Sequence, residues 1–433
     1  MRLKHLLAGA AMLAGTATAA SAATITIATV NNGDMITMQK LAPKWEQTTG
    51  NKINWVVLEE NVLRQRVTTD ISTKGGQFDI LTIGSYETPI WGKQGWLVPL
   101  DFPASYDMND VFKGVRDALS SDGKLYAAPF YAESSFTLYR KDLFEAAGLT
   151  MPAKPTYDEI AKFADKLTDK SKGQYGICLR GKAGWGENMA FVDTLVNGFG
   201  GQWFDMKWNA TLDSKPWHDA LNYYVDLLHR DGPPGVTGNG FNENLALFTT
   251  GHCGMWIDAT SAAGLVYDKT KSQVWDKTGF TAAPHGVTAN GTGWFWAWAM
   301  AVPTTSKQQD AAKSFLEWST SKAYIDLVGT TNGWTGLPPG TRVSTYANEN
   351  YIKAAPFAET VKTAILTADI TKPTANPVPY VGIQYVAIPE FQAMGTQVGQ
   401  YVASALAGQT TVDAALKQAQ QSVSSTMEQA GYK

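Results

Sequence analysis

Cysteine is nearly absent: the 433-residue chain carries two, Cys178 and Cys253. They lack the C-x-x-C spacing of redox motifs and zinc sites, and a single pair forms at most one disulfide. In an oxidising compartment that bridge is one expectation, and two separately buried thiols are the other. Histidine is scarce too. His218, His229, His252 and His285 have neither H-x-x-x-H spacing nor a cysteine at zinc-like distance, so no metal is expected. No Lys/Arg block and no basic half exist, and 39 acidic residues against 36 basic ones give a formal charge of −3. That balance argues against nucleic acid or an anionic lipid surface as partner. A G-x-S-x-G elbow and a Walker loop are missing. Gly238-Asn239-Gly240 is only a fragment of a dinucleotide fingerprint and follows no convincing strand. No cofactor is expected, and catalysis lacks support. Carboxylates are plentiful, but glycoside hydrolysis needs two of them facing across a cleft, which linear spacing does not reveal.

Long apolar runs are missing as well; a membrane span needs about 20 such residues. The nearest approach, Leu6 to Ala20, is short and Ala-rich, follows Arg2, Lys4 and His5, and leads into Ala20-Ser21-Ala22. A basic head, a short apolar stretch and an A-x-A site form the pattern of a secretory leader over residues 1–22. A buried N-terminal helix is the alternative. Cleavage after Ala22 would remove Arg2 and Lys4 and leave a charge of −5, and no cysteine lies near that site to take a lipid.

Aromatics, by contrast, are abundant. Fifteen Trp residues exceed what a core needs, and an indole, with an apolar face and one N–H donor, suits a ligand that is apolar on its C–H surface and polar at its hydroxyls. The densest stretch is Gly291-Thr292-Gly293-Trp294-Phe295-Trp296-Ala297-Trp298-Ala299-Met300. Read as a strand, it projects Trp294, Trp296 and Trp298 to one face. Pure core packing is the competing reading, yet amphipathic rings of this kind often line pockets. Three further clusters join acids to aromatics. Arg180 and Trp185 lie in Cys178–Asn188, Glu133 lies in the apolar Pro129–Ser135 run, and Asp258 ends Trp256-Ile257-Asp258. A buried Glu133 needs an Arg or hydroxyl partner, and planar acid and guanidinium groups make paired hydrogen bonds to polyhydroxy ligands.

The chain's organisation points to α/β structure. Thr24–Val30 alternates and is β-branched, a helical segment follows from Met35 to Gln47, and Ile53–Leu58 and Phe78–Ile83 read as further strands. Alternating strands and helices predict a largely parallel sheet, whose ligands bind beyond the carboxyl ends of the strands. Asn31-Asn32-Gly33, Glu59-Glu60-Asn61 and Gly84-Ser85-Tyr86 then share one rim, with plain turn chemistry as the alternative for each. Thr156 and Glu159 have capping-box spacing ahead of Ile160, Phe163 and Leu167, and Thr410–Asp413 opens another helix. Ser214 precedes a helix whose Trp217, Leu221, Tyr224 and Leu228 are expected in the core. The length fits two lobes.

The order of these features resembles the extracellular solute-binding proteins of ABC importers, in the sugar-binding family that includes maltodextrin-binding protein. The resemblance is carried by Phe78-Asp79-Ile80, Gly95–Leu100, Leu125–Phe130, Tyr139–Leu149, Pro155–Glu159, Phe248–Met255 and Ala311–Trp318. Arg140 departs from the Asn or Asp that the family commonly has after the Tyr, at a turn. The resemblance implies an α/β, two-lobe periplasmic-binding-protein fold with a ligand cleft between discontinuous lobes. One lobe is expected from 24–130 and 300–347, the other from 131–299 and 348–433. Carried over by position, Asn31, Glu60, Tyr86, Glu133, Arg180, Trp185, Asp258, Trp294 and Trp296 are expected in the cleft. The Arg180-Gly181-Lys182 and Gly293-Trp294 pieces, with Trp296, look similar to the subgroup that binds mannitol, sorbitol and related polyols. A monomeric periplasmic protein that is not an enzyme follows, delivering a polyol or sugar to ABC membrane permease subunits. A cyclic mono- or oligosaccharide ligand and a secreted glycan-active enzyme are the alternatives.

Overall fold

The computed structural model describes residues 22–432, so the leader-like segment before Ala22 lies outside the described residues. Two sheets organise the chain. The first begins with β1 (Thr24–Val30), β2 (Lys52–Leu58) and β3 (Ile80–Gly84), all parallel and joined by helices. A short hairpin of β4 (Ser120–Ser121) and β5 (Lys124–Leu125) precedes β6 (Ala128–Glu133), and Ser134 alone separates that strand from β7 (Ser135–Arg140) in the second sheet. β8 (Tyr175–Cys178), β9 (Cys253–Ala259) and β10 (Thr278–Ala282) complete the second sheet, and β11 (Trp296–Ala301) returns to the first. The orders are β2-β1-β3-β11-β6 and β10-β7-β9-β8.

Local chemistry explains the elements. β1 buries Ile25 and Ile27 completely, and the loops at its sheet's rim double as helix caps. Asn32 accepts from Met35 N at 3.0 Å and starts the helix Gly33–Leu41. Glu59 accepts from Asn61 N at 3.0 Å and starts Glu60–Ser72. The single helical segment expected over 35–47 is two helices, because Pro43 has no N–H to continue the first and instead opens Pro43–Thr49. The capping box at Thr156 and Glu159 is formed in both directions, with the Thr156 hydroxyl accepting from Glu159 N and the Glu159 carboxylate accepting from Thr156 N. Thr411, within the expected Thr410–Asp413 start, accepts from Ala414 N and opens Val412–Gln429. Trp217, Leu221, Tyr224 and Leu228 are core residues of Lys215–Asp231. Arg140 ends β7, held in a fork by Asp142 at 2.8 and 2.6 Å.

β11 runs antiparallel between β3 and β6, facing Trp296 to Glu133 and Trp298 to both Gly84 and Tyr131. The expected lobe limits at 130/131 and 299/300 therefore fall inside β6 and β11, two strands of the first sheet; the chain passes between sheets at Ser134 and again between β10 and β11. The helices Phe391–Leu406 and Val412–Gln429 pack on one another and on Lys215–Asp231, alongside the second sheet.

Cys178 and Cys253 sit on the adjacent parallel strands β8 and β9 with Cα atoms 5.9 Å apart, joined as a disulfide across a sequence separation of 75 residues. Closing a loop of that size removes denatured-state entropy, worth about 2–4 kcal/mol. Reduction, or the double change Cys178→Ala/Cys253→Ala, is expected to lower the melting temperature by several degrees in calorimetry; an unchanged value would show that the bridge adds nothing.

Candidate ligand-binding cleft

The rims of the two sheets face each other and enclose a cavity of about 80 Å³. The first lobe contributes the loops after β1 and β2 with Asn31, Glu59 and Glu60, then Arg64 from the helix that Glu60 begins. The second contributes Arg180, Trp185 and Glu187 from the loop after β8, and Ser261 from the turn after β9. Tyr131 and Glu133 on β6, and Trp294, Trp296 and Trp298 at β11, form the floor. The three indoles thus line one cavity, as the alternation of the stretch requires.

Arg180 is the fixed point of the second lobe. Its Nε donates to Asp258 Oδ1 and Oδ2 at 3.1 and 3.0 Å, its Nη2 donates to Oδ1 at 2.6 Å, and its Nη1 donates to Gly186 O at 2.7 Å. Asp258 also accepts from Trp256 Nε1 at 3.0 Å. Burial disfavours the guanidinium charge, but Asp258 and Glu187 outweigh it and hold its pKa above the ordinary value. Arg64 is its counterpart in the first lobe, paired with Glu60 and with the buried Glu87, each at 2.8 Å.

Of the acids of the floor and wall, Glu133 has no ion-pair partner among the described residues, while Glu187 lies 3.6 Å from Arg180 and 3.9 Å from Lys182. Glu133 accepts from Ser261 Oγ at 2.6 Å. Burial still pushes its carboxyl up to about 8, against the pull of that bond and of Arg180. Burial likewise raises Glu187, with Arg180 opposing. A carboxyl raised in this way keeps its proton to higher pH and, while it holds it, donates as well as accepts. Four lining residues keep a buried polar atom without a hydrogen-bond partner: the Trp185 and Trp296 Nε1 donors, the Gln384 Oε1 oxygen, and Glu187 Oε2, which lies 3.6 Å from Arg180 Nη1. Such groups cost free energy unless something else satisfies them.

The cleft is drawn closed by bonds between lobes at its lips. Lys182 Nζ donates to Glu59 Oε1 at 2.6 Å, Asn61 Nδ2 to Ala183 O at 3.1 Å, and Asn242 Nδ2 to Asn31 O at 3.2 Å.

Seven of the nine residues expected in the cleft line it: Asn31, Glu60, Glu133, Arg180, Trp185, Trp294 and Trp296. Tyr86 and Asp258 stand behind the wall. Tyr86 donates its hydroxyl to Ile388 O at 3.0 Å and sets its ring against Trp185, because the turn after β3 points to the C-terminal segment and not to the cavity. Asp258 is shielded by the guanidinium it holds. Sequence reasoning passed over Arg64, Glu59, Lys182, Glu187, Tyr131 and Ser261 as cleft residues. Arg64 was reachable in principle, one helical turn beyond Glu60 on the same face; nothing local marks Ser261.

Residues 31–325 match the model of the bacterial extracellular solute-binding protein family. The chain is 54% identical over 425 residues to a mannitol-binding protein of Pseudomonas aeruginosa, covering 98% of this chain and 97% of that one. It resembles the crystal structure of an ABC transporter solute-binding protein from Agrobacterium vitis with bound D-mannitol, at 58% identity and a TM-score of 0.94, covering 95% and 99% of the two chains. A solute-binding protein from Agrobacterium radiobacter in complex with ribitol gives 27% identity and a TM-score of 0.83, covering 93% and 98%. The chain therefore belongs to the bacterial extracellular solute-binding protein family, as a two-lobe binding protein and not an enzyme.

Proposed function

We propose that this protein is the solute-binding component of an ABC importer, capturing an acyclic sugar alcohol of about mannitol's size and presenting it, enclosed, to membrane permease subunits. The observation that carries this reading is the set of four buried polar atoms around the cavity that make no hydrogen bond within the protein: two indole donors and two oxygens. A ligand with many hydroxyls both donates and accepts, and so satisfies both kinds. The indole faces suit its C–H surface, and a space of about 80 Å³ favours a compact solute over an oligosaccharide. The mannitol-binding relative and the mannitol and ribitol complexes support the same class of ligand.

In this reading Asn31, Glu60, Glu133, Arg180, Trp185, Trp294 and Trp296 contact the ligand, while Tyr86 and Asp258 hold two of those contacts in place. The lobes hinge at Ser134 and at the segment between β10 and β11. Ligand touching both lobes shifts an open ensemble to the closed one by its differential affinity. The protein acts as a monomer in the periplasm after loss of its leader. Ala23 N donates to Asn51 Oδ1 at 2.9 Å and Ala23 O accepts from Lys52 N at 2.8 Å, contacts that a chain cut after Ala22 would keep.

A thermal-shift panel of hexitols, pentitols, monosaccharides and maltodextrins tests the ligand class. A hexitol at 100 times its Kd stabilises by about 2.7 kcal/mol, read as a clear rise in Tm. No shift with any polyol at millimolar concentration, together with a shift from a cyclic sugar, would sink the acyclic reading. Trp296→Ala is expected to weaken hexitol binding by roughly ten- to hundredfold, about 1.4–2.8 kcal/mol, in calorimetry. Trp208→Ala, a half-buried ring against the buried Phe204 and against Tyr432, should leave affinity unchanged. Affinity also depends on pH. Closure buries Glu133 and Glu187 and raises their pKa values, so the closed state binds more protons than the open one. Its advantage is full below the ordinary carboxylate range and is lost as pH rises through about 8. Hexitol affinity should fall between pH 5 and 8.5, and Glu133→Gln should flatten the curve; an increase over that range would contradict the assignment.

A further inference from the structure

Arg64 carries an inference that rests on the reading of the cleft as a polyol site. The residue is 5% exposed, although it lines the cavity. Its edge is held wholly by its own lobe: Nε and Nη2 donate to Glu60 Oε1 at 3.1 and 2.8 Å, and Nη1 donates to Glu87 Oε1 at 2.8 Å. Glu87 is in turn anchored by Gly84 N at 2.9 Å. The guanidinium is thus positioned before the lobes meet. Its faces are then taken by indoles. Its central carbon lies 4.9 Å from the ring centres of Trp296 and Trp298, and 3.9 Å from that of Trp185, which arrives from the opposite lobe. The fit has no slack: a Cβ at Gly186 would stand 3.1 Å from Arg64 Nε and Nη2 and closer still to Glu60 Oε1.

An indole face attracts a planar cation and also stacks on the C–H surface of a polyol. The two compete for the same surface. We propose that Arg64 sets the length of ligand the cleft accepts, its guanidinium occupying the end of an indole trough that would otherwise extend the binding surface. The other end is bounded by Arg180, whose guanidinium lies 5.7 Å from the Trp294 ring centre. Two fixed arginines, each locked by a buried carboxylate of its own lobe, bracket the indole floor and leave about 80 Å³ between them. Arg64 is in this sense a specificity-determining residue.

The test measures dissociation constants by titration calorimetry for a homologous series: ribitol with five carbons, D-mannitol with six and the heptitol perseitol with seven. The proteins are wild type, Arg64→Ala, Arg64→Lys and the double variant Arg64→Ala/Glu87→Gln, which leaves no unpaired buried carboxylate at position 87. The expected result is a fall of at least about tenfold in the perseitol-to-mannitol Kd ratio in Arg64→Ala or the double variant, with Arg64→Lys moving the ratio back toward wild type. A purely structural Arg64 would weaken all three ligands together. An unchanged ratio in a folded variant overturns the proposal, as does failure of both Ala variants to fold while Arg64→Lys keeps the wild-type ratio. Wild type that binds none of the three polyols refutes the polyol reading itself, a result distinct from any outcome among the variants.

Discussion

The buried pair between Arg180 and Asp258 ties the second lobe's half of the cleft to its sheet. Both groups are removed from water, a costly step that is offset only by good geometry and by satisfying the remaining hydrogen-bonding capacity. Here the fork of Arg180 meets both oxygens of Asp258, and the fourth bond goes to Gly186 O. That last bond holds the loop that carries Trp185 and Glu187. Asp258 itself is steadied by Trp256 Nε1 and by Ala259 N. β8, which leads into Arg180, and β9, which carries Asp258, are also joined by the disulfide between Cys178 at the end of β8 and Cys253 at the start of β9. The cavity wall is therefore pre-formed, and little of the ligand's binding free energy is needed to order it.

The first lobe repeats the device with different parts. Arg64 pairs with Glu87, which is bound to the end of β3, and with Glu60, which begins the same helix. Between the two arginines lies β11, and its indoles face a space that neither lobe encloses alone. The lips then close through Lys182 with Glu59, a partly exposed pair of modest strength. A weak latch over rigid walls suits a protein that must both hold and release. In the proposed reading, a ligand touching both walls tips the balance toward the closed state.

Much of this was legible in the chain. The box at Thr156 and Glu159, the capped start within Thr410–Asp413, and the period-two run through Trp294, Trp296 and Trp298 are all local patterns. They fold as read, save for the helix that Pro43 divides, and the rim loops at Asn32 and Glu59 prove to be helix caps as well. Of the seven expected residues that line the cavity, Asn31, Glu60, Arg180 and Trp185 follow strand ends, where an α/β sheet offers its ligands a rim, while Glu133 ends β6 and Trp294 and Trp296 stand at the start of β11. Tyr86 follows a strand end too. Its ring supports Trp185 from behind, since the segment around Ile388 and Gln392 covers that corner.

By itself, then, the sequence determined the strands, the caps, the single aromatic face and the class of fold, because each depends on residues a few positions apart. It did not determine which acid is paired and which is left raised. Arg180 reaches Asp258 across 78 positions and Arg64 reaches Glu87 across 23, while Glu133 is answered only by a serine 128 positions away. The first two pairings are made when each lobe folds and brings distant segments of its own chain together, whereas the bond from Ser261 to Glu133 joins the two sheets. Desolvation, the force that raises Glu133 and strands the indole N–H groups of Trp185 and Trp296, arises only once the closed tertiary structure has excluded water from between them.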